Sequence, residues 1–259
     1  MKIGFYGKVF GDDYNELMRD VIRLLNEASV NIMIYEPFWN DIKHCIDDFC
    51  KFELFNSSEE IKNNIDILFS FGGDGTILDT VPLIRDSGIP VLGINTGTLG
   101  FLASVSPQST SEAVKNIITG NYTIEQRSLI QIKDEDNIFN GINYALNEIS
   151  ICRKDNGSLI VVEVYIDDML LNTYWSDGII LATPTGSTAY SMSAGGAVID
   201  PSLECFQVTP ICPYSLSGAR HMIFSPESTI TINVTETNNS EAWLTTDGNT
   251  SYHLESGDN

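Results

Sequence analysis

Basic residues are scarce in this sequence. Its 259 residues include 14 Lys and Arg against 35 Asp and Glu, which sets the formal net charge at −21. Nucleic acids and anionic membranes require a basic face, so this composition argues against both as partners. An anionic nucleotide is repelled as well. A phosphate site in this chain therefore has to depend on backbone N–H groups, helix N-termini and a divalent cation.

Cysteine is also sparse. The five cysteines are an odd number, and no two of them form a Cys-x-x-Cys pair. This pattern argues against a disulfide framework and against a structural zinc site, and no residue is assigned as a metal ligand. We expect these cysteines to be small packed side chains.

Long apolar segments are missing too. No run approaches the roughly 18 apolar residues of a membrane-spanning helix, and the first residues turn polar too quickly for a signal peptide. The content of 42% hydrophobic and 10% aromatic residues is ordinary for a globular protein. We therefore expect a cytoplasmic protein.

The first hundred residues alternate between strand and helix patterns. Apolar runs at 2–9, 30–35, 65–71 and 89–94 are typical of strands, and helical spacing appears at 14–28, 39–49 and 76–85. This alternation predicts an α/β domain with a parallel sheet and helices on both faces. A further amphipathic helix is expected at 106–118.

After residue 121 the pattern becomes β-rich. Strand-like runs occupy 122–125, 129–132, 146–152, 159–166, 178–182 and 229–234, with turn signals between them. An all-β C-terminal domain is therefore predicted. We place the N-terminal α/β domain at residues 1–102, the β-rich domain at 103–249 and a tail at 250–259.

A glycine-rich segment follows the third predicted strand. Residues 71–76 read Phe-Gly-Gly-Asp-Gly-Thr and open a helix. Gly72, Gly73 and Gly75 allow close approach of the backbone to a phosphate, and a helix N-terminus attracts anions. Asp74 could hold a metal or accept a proton. The alternative is a tight turn in which Asp74 or Thr76 caps the helix. The Lys-Ser/Thr of a P-loop is absent.

Two motifs lie in the β-rich half. Asn147 and Glu148 could hold a ribose diol or an adenine edge, or could be an exposed polar pair on a sheet. Residues 176–196 contain a strand, a Pro-Thr-Gly turn and a run of small residues. Tyr190 in this run could stack on a ring, although an internally packed Ser/Thr-rich loop is the alternative.

These motifs, in this order, resemble the NAD kinase family. The resemblance rests on Gly-Gly-Asp-Gly, Asn-Glu and Thr-Pro-Thr-Gly-Ser-Thr-Ala-Tyr-Ser, within residues 65–102 and 122–225. It implies transfer of the terminal phosphate of ATP, or another nucleoside triphosphate, to the 2′-hydroxyl of the adenosine ribose of NAD, with Mg²⁺ as the cation. It also implies a β-rich NAD-binding domain, a site in the cleft between the domains, a tail returning toward the N-terminal domain, and a homodimer or homotetramer.

The resemblance further implies roles for individual residues. Asp74 corresponds to the general base for the ribose hydroxyl, Gly75 adjoins it, and Gly72, Gly73 and Thr76 belong to the phosphate loop. The implied NAD-binding residues in the second half are Asn147, Glu148, Asp177, Thr188, Ala189, Tyr190, Ser191, Met192, Ser193, Cys212 and Asn249.

The sequence departs from the family pattern at two places. Trp175 stands where many relatives carry a basic residue, so stacking would replace a salt bridge to a substrate phosphate. Arg220 follows a segment with one apparent extra residue, which leaves open a phosphate contact, core packing or a surface position.

Two other functions compete with this interpretation. A lipid or sphingoid-base kinase shares the Gly-Gly-Asp-Gly loop, but the acidic chain disfavours the membrane-facing surface that it needs. A non-enzymatic NAD-binding regulator would keep Asn147, Glu148 and Asp177 but could dispense with Asp74. The presence of Asp74 therefore favours catalysis.

Overall fold

The computed structural model describes residues 1–8, 11–45, 51–97, 100–135, 137–154, 158–214, 219–235, 242–248 and 250–254. The chain divides into two compact units, Met1–Glu125 and Gln126–Asn259. Across the described residues, no helix has the length and apolar character needed to cross a membrane.

The N-terminal unit is built on a five-stranded parallel sheet. Its strands stand in the order β3-β2-β1-β4-β5. Their bounds are β1 (Lys2–Gly7), β2 (Asn31–Tyr35), β3 (Phe52–Phe55), β4 (Ile67–Gly72) and β5 (Val91–Asn95). Because all five run the same way, their carboxyl ends share one edge, which is where open α/β sheets bind ligands.

Helices cover both faces of this sheet. They are α1 (Asn15–Glu27), α2 (Glu36–Ile42), α3 (Ser58–Ile61), α4 (Asp74–Ile84) and α5 (Thr110–Ile118). On β2, Ile32 and Ile34 pack in one core with residues of α1, α2 and α5. Between them, Met33 points to a second core that includes residues of α3 and α4. This alternation confirms the prediction that helices cover both faces of a parallel sheet.

Several predicted elements differ from the observed ones. Residues 122–125 form no strand, while β3 had not been predicted. Helix α5 packs on the N-terminal core through Val114 and Ile117, and the unit extends to Glu125, beyond the predicted boundary at residue 102. Amphipathic spacing marked α5 as a helix, but it could not show which core the helix would join.

The C-terminal unit consists mainly of antiparallel sheets. A six-stranded sheet has the order β13-β12-β11-β8-β15-β16, a three-stranded sheet has the order β10-β9-β14, and β6 pairs with β7. The strands are β6 (Ile130–Gln131), β7 (Tyr144–Ala145), β8 (Glu148–Arg153), β9 (Ile160–Ile166), β10 (Met169–Ser176), β11 (Gly178–Ala182), β12 (Phe206–Ile211), β13 (Met222–Phe224), β14 (Ile230–Val234), β15 (Ala242–Thr246) and β16 (Thr250–Leu254). The described part of the expected tail is therefore strand β16, which pairs with β15.

The two larger sheets share a core. Ile151 and Ile179 of the six-stranded sheet pack in one cluster with Val162 and Val164 of the three-stranded sheet. The opposite face of the six-stranded sheet carries Ile180, Ala182 and Ile211, which form a small separate cluster. The short helix α6 (Tyr190–Ser193) follows β11, and Ala194 just after it packs against that cluster. This face therefore holds the segment that the sequence marked for ligand binding.

Candidate active site

The glycine loop joins β4 to α4 at the carboxyl edge of the parallel sheet. Gly73 is the N-cap of α4 and Asp74 is its first residue, so neither Asp74 nor Thr76 caps the helix. A Cβ at Gly72 would lie 2.1 Å from Oγ1 of Thr76, which explains why this position must be glycine. Around Gly73 and Gly75 an added Cβ would meet open space, so this turn presents accessible backbone at a helix N-terminus.

The Asp74 carboxylate is held by backbone groups of a second loop. The N–H of Phe101 donates to Oδ2 at 2.7 Å, and the N–H groups of Leu102 and Ala103 donate to Oδ1 at 2.9 Å each. This second loop follows β5. The structure therefore joins the Gly-Gly-Asp-Gly loop to the segment after β5 through one carboxylate.

Glu148 begins β8 and Asn147 directly precedes it. Both are buried, at 7% and 9% exposure, so they are not an exposed polar pair. Their backbone is fixed by Asp247, which follows β15. The N–H groups of Leu146, Asn147 and Glu148 donate to the Asp247 carboxylate at 2.8, 2.7 and 3.1 Å. The backbone of the Asn-Glu motif is therefore held by a side chain about a hundred residues later in the sequence.

Burial dominates the electrostatics of Glu148. Burial, followed by the charge of Asp247, raises the pKa of this carboxyl from 4.5 to about 7. The backbone N–H of Tyr190 donates to the Glu148 carboxylate and partly offsets these effects. Among the described residues, Oε2 of Glu148 is buried and has no hydrogen-bond partner. A buried acceptor without a donor is costly, and the hydroxyl of a ligand would satisfy it.

The Pro-Thr-Gly turn packs directly on the Asn-Glu motif. Oγ1 of Thr183 donates to the carbonyl of Leu146 at 2.6 Å, and a Cβ at Gly186 would lie 2.0 Å from the carbonyl oxygen of Asn147. Ser187 donates to the carbonyl of Pro184 at 2.6 Å and accepts the N–H of Ile199 at 2.9 Å. The glycine and small hydroxyl residues of this motif are therefore required for close packing of two backbones.

The following segment divides into exposed and buried side chains. Thr188 and Ala189 are half-buried, Tyr190 and Met192 are 40% and 45% exposed, and Ser193 is exposed. The side chain of Ser191 is fully buried, and its hydroxyl bonds to Gln207 at 2.6 Å and to Thr209 at 2.9 Å. The hydroxyl of Ser191 is thus held in the interior, whereas the residues Tyr190, Met192 and Ser193 are exposed.

Tyr190, Asp177 and Cys212 are brought together with Cys152. Gly178, which follows Asp177, pairs with Cys152 on one side and with Ile211 on the other. The side chains of Tyr190 and Cys152 are hydrogen-bonded. Partial burial, followed by the influence of Cys152, Cys212 and Asp177, raises the pKa of Tyr190 to about 12. Burial likewise raises the pKa of the Cys152 thiol.

Asp177 is paired with the side chain of Arg153, a residue that the sequence had not indicated as part of the site. Nε of Arg153 lies 3.1 Å from Oδ1 of Asp177, and the two side chains are 26% and 29% exposed. Trp175 on β10 is 46% exposed, and Arg220 is exposed at the surface. Arg153 lies at the end of the neighbouring strand β8, a placement that no local sequence signal reveals.

The Asp-Gly-Asn segment after β15 is described only in part. Asn249 lies outside the described residues, whereas Asp247 in the same Asp-Gly-Asn segment proves to be the residue that organises the Asn-Glu motif. Within the described residues, no three His, Cys, Asp or Glu side chains are grouped closely enough to hold a metal ion. Mg²⁺ at phosphoryl-transfer sites is bound largely by substrate phosphates and water.

Family comparisons cover both units. The model of the ATP-NAD kinase N-terminal domain matches residues 7–122, and that of the ATP-NAD kinase C-terminal domain matches residues 146–259. An NAD kinase of Flavobacterium johnsoniae is 38% identical over 239 residues, which is 91% of this chain and 80% of that protein. An NAD kinase of Thermoanaerobacter is 35% identical over 258 residues, 98% of this chain and 87% of that protein.

Two solved structures of NAD or NADH kinases are also similar to this chain. Yeast NADH kinase complexed with NADH superposes with a TM-score of 0.86 at 29% identity, covering 99% of this chain and 78% of that one. An NAD kinase from Archaeoglobus fulgidus in complex with ATP gives a TM-score of 0.73 at 27% identity, covering 99% and 88%. Both domain models match in order. The matches to relatives more than 30% identical cover most of this chain and most of each relative. The chain therefore belongs to the ATP-NAD kinase family.

Proposed function

We propose that the protein transfers the terminal phosphate of ATP, or of another nucleoside triphosphate, to the 2′-hydroxyl of the adenosine ribose of NAD, giving NADP. The observation that carries the proposal is the match of both ATP-NAD kinase domain models to a chain that keeps Asp74 in its glycine loop. The relatives named above are NAD or NADH kinases, and two of them were solved with NADH or ATP.

The donor phosphates bind at the glycine loop. The open space around Gly73 and Gly75 lets a phosphate approach the first turn of α4, whose N–H groups and helix dipole favour negative charge. Few basic side chains are needed in such a site. This arrangement suits a chain whose net charge is −21.

Asp74 acts as the general base. The 2′-oxygen of the ribose attacks the terminal phosphorus, the bond from that phosphorus to the leaving diphosphate breaks, and the hydroxyl proton passes to the Asp74 carboxylate. Phosphoryl transfer asks the protein mainly for positioning and charge stabilisation, and a positioned base contributes on the order of 10²–10⁴-fold. A bound Mg²⁺ would neutralise charge on the triphosphate.

NAD is held by residues of the C-terminal unit. Oε2 of Glu148 is a buried acceptor that a ribose hydroxyl would satisfy, and Asn147 lies beside it. Tyr190 offers a partly exposed ring for stacking on a base, close to Asp177 and Cys212. Thr188, Ala189, Met192 and Ser193 extend this surface, and Ser191 supports it from within.

The proposal also includes a homodimer or homotetramer in the cytoplasm. The resemblance to the family supports the assembly. The few cysteines of the sequence, with no Cys-x-x-Cys pair, support the compartment.

The test is a direct assay of the purified protein. It is incubated with NAD, ATP and Mg²⁺, and NADP is measured with an NADP-specific dehydrogenase. NADP formation supports the proposal. Phosphorylation of diacylglycerol or sphingosine without NADP would identify a lipid kinase, and NAD binding without turnover would identify a regulator. A panel of nucleoside triphosphates and polyphosphate then defines the donor.

A further inference from the structure

Three consecutive backbone N–H groups converge on Asp74. The donors belong to Phe101, Leu102 and Ala103, and all three distances lie between 2.7 and 2.9 Å. Hydrogen bonds to a charged carboxylate are stronger than those between neutral groups. We call these three residues the amide bracket. It holds a side chain that stands 27 to 29 positions earlier in the chain.

The bracket uses the two carboxylate oxygens unequally. Oδ1 accepts two N–H groups, and Oδ2 accepts one. A carboxylate oxygen has two lone pairs, so a carboxylate offers about four acceptor positions. Within the described residues, the one position left lies on Oδ2. A donor hydroxyl that approaches Asp74 in this orientation is therefore directed to Oδ2.

Gly100 precedes the bracket and touches the same carboxylate. A Cβ at this position would lie 2.2 Å from Oδ1, 2.3 Å from Cγ and 2.4 Å from Oδ2 of Asp74. The backbone of Gly100 is not among the glycines with a left-handed φ, so backbone conformation does not require a glycine. The close approach of the carboxylate does. Even one methyl group would displace Asp74 from its place in the bracket.

We propose that Gly100 and the amide bracket are the positioning element for Asp74, which orients the carboxylate so that Oδ2 receives the proton of the acceptor hydroxyl. The inference rests on the proposed function, because it assigns the oxygen and the supporting residues of that same base. Gly100 acts through Asp74 and touches no reacting atom itself.

A positioning role and a purely structural role predict different results for Gly100→Ala. The Asp74 side chain is short and can rotate away from a new methyl group, so the fold survives while the carboxylate is misplaced. A misplacement of about 1 Å in a catalytic group can cost on the order of 10²-fold in rate. A purely structural role would lower stability but leave kcat per folded molecule unchanged.

The experiment compares Gly100→Ala with Gly11→Ala, since an added Cβ at Gly11 makes only an ordinary contact, 4.0 Å from the ring of Tyr14. Initial rates with NAD, ATP and Mg²⁺ give kcat and both KM values, and Tm is measured for each protein. Asp74→Ala and Asp74→Ala/Gly100→Ala complete a double-mutant cycle for Tm, because the first change removes the atoms that the methyl group would meet.

We expect Gly100→Ala to lower kcat by about 10- to 100-fold with KM for NAD changed less than about threefold, as for a misplaced catalytic group. Gly11→Ala should match wild type. Gly100→Ala should lower Tm when Asp74 is present and leave it unchanged in the Asp74→Ala background. This last comparison remains informative if the single variant is too unstable for kinetics.

The inference is overturned if Gly100→Ala keeps kcat within twofold of wild type. It is also overturned if Gly100→Ala lowers Tm by the same amount in the Asp74→Ala background as in wild type. In either case wild-type turnover would leave the proposed function intact. A wild-type protein that forms no NADP would remove the proposed function and the positioning role together.

Discussion

Asp247 accepts the backbone N–H of Glu148 at 3.1 Å and at the same time raises the pKa of the Glu148 side chain. One carboxylate thus fixes the main chain of the Asn-Glu motif and hinders ionisation of its acidic member. The pair joins the turn after β15 to the start of β8. Both effects act at the Asn-Glu motif, for which a contact to NAD is proposed above.

Replacement of Asp247 by Asn tests the first effect. Asp247 has a φ of 48°, which Asn tolerates, so the change mainly removes charge and one acceptor oxygen. We expect the free energy of unfolding to fall by about 1.5–3 kcal/mol, the range for hydrogen bonds to charged groups. KM for NAD should rise. Asp168→Asn is the matched control, because Asp168 is exposed and has a φ of 65°. Equal unfolding curves for Asp247→Asn and Asp168→Asn would contradict the prediction.

Replacement of Glu148 by Gln tests the second effect through pH. The pKa of Glu148 is raised from its ordinary value of 4.5 to about 7, so the folded protein binds more protons than the unfolded chain between these values. Stability is therefore lost as pH rises from about 4.5 to 7. Relative to wild type, Glu148→Gln should gain stability over this range, by up to roughly 3 kcal/mol, and then level off.

Tm measured from pH 5 to pH 8 checks this pH dependence. Glu204→Gln serves as control, because Glu204 is exposed. A difference between Glu148→Gln and wild type that stays constant with pH would show that the Glu148 carboxyl is ionised throughout.

Asp74→Asn tests the assignment of the base. The amide cannot accept the hydroxyl proton, and its NH₂ group would face a donor of the amide bracket. We expect kcat to fall at least about 100-fold, within the usual contribution of a general base, while NAD binding measured by calorimetry largely survives. Asp13→Asn, an exposed residue of the same unit, should retain full activity. A variant with more than about a tenth of wild-type kcat would exclude Asp74 as the base.

Arg153→Met tests the ion pair with Asp177. Both side chains are about one quarter exposed, so the pair should contribute less than about 1 kcal/mol to stability. Its larger effect should be on the orientation of Asp177, seen as a several-fold rise in KM for NAD. Lys154→Met removes the same charge from the next residue, which approaches His253 and not Asp177. If both variants raise KM equally, the effect is one of net charge.

Asp74 and Asp247 share an arrangement that local sequence does not encode. Each carboxylate accepts three consecutive backbone N–H groups from a distant segment. Periodicity and turn chemistry depend on residues a few positions apart, whereas these contacts join segments about 28 and 100 residues apart. The same reasoning explains why Arg153 was missed and why Ser191, in an evident motif, proves to be buried.

By itself, the sequence determined the α/β and β-rich halves, because hydrophobic spacing of 3.6 or 2 residues records which face of each element is buried. It also determined the family, because the glycine loop, the Asn-Glu pair and the Thr-Pro-Thr-Gly stretch lie within contiguous residues. Only the tertiary structure decided that α5 joins the N-terminal core and that Gly100 meets Asp74. The physical reason is that these relationships come from packing between remote segments.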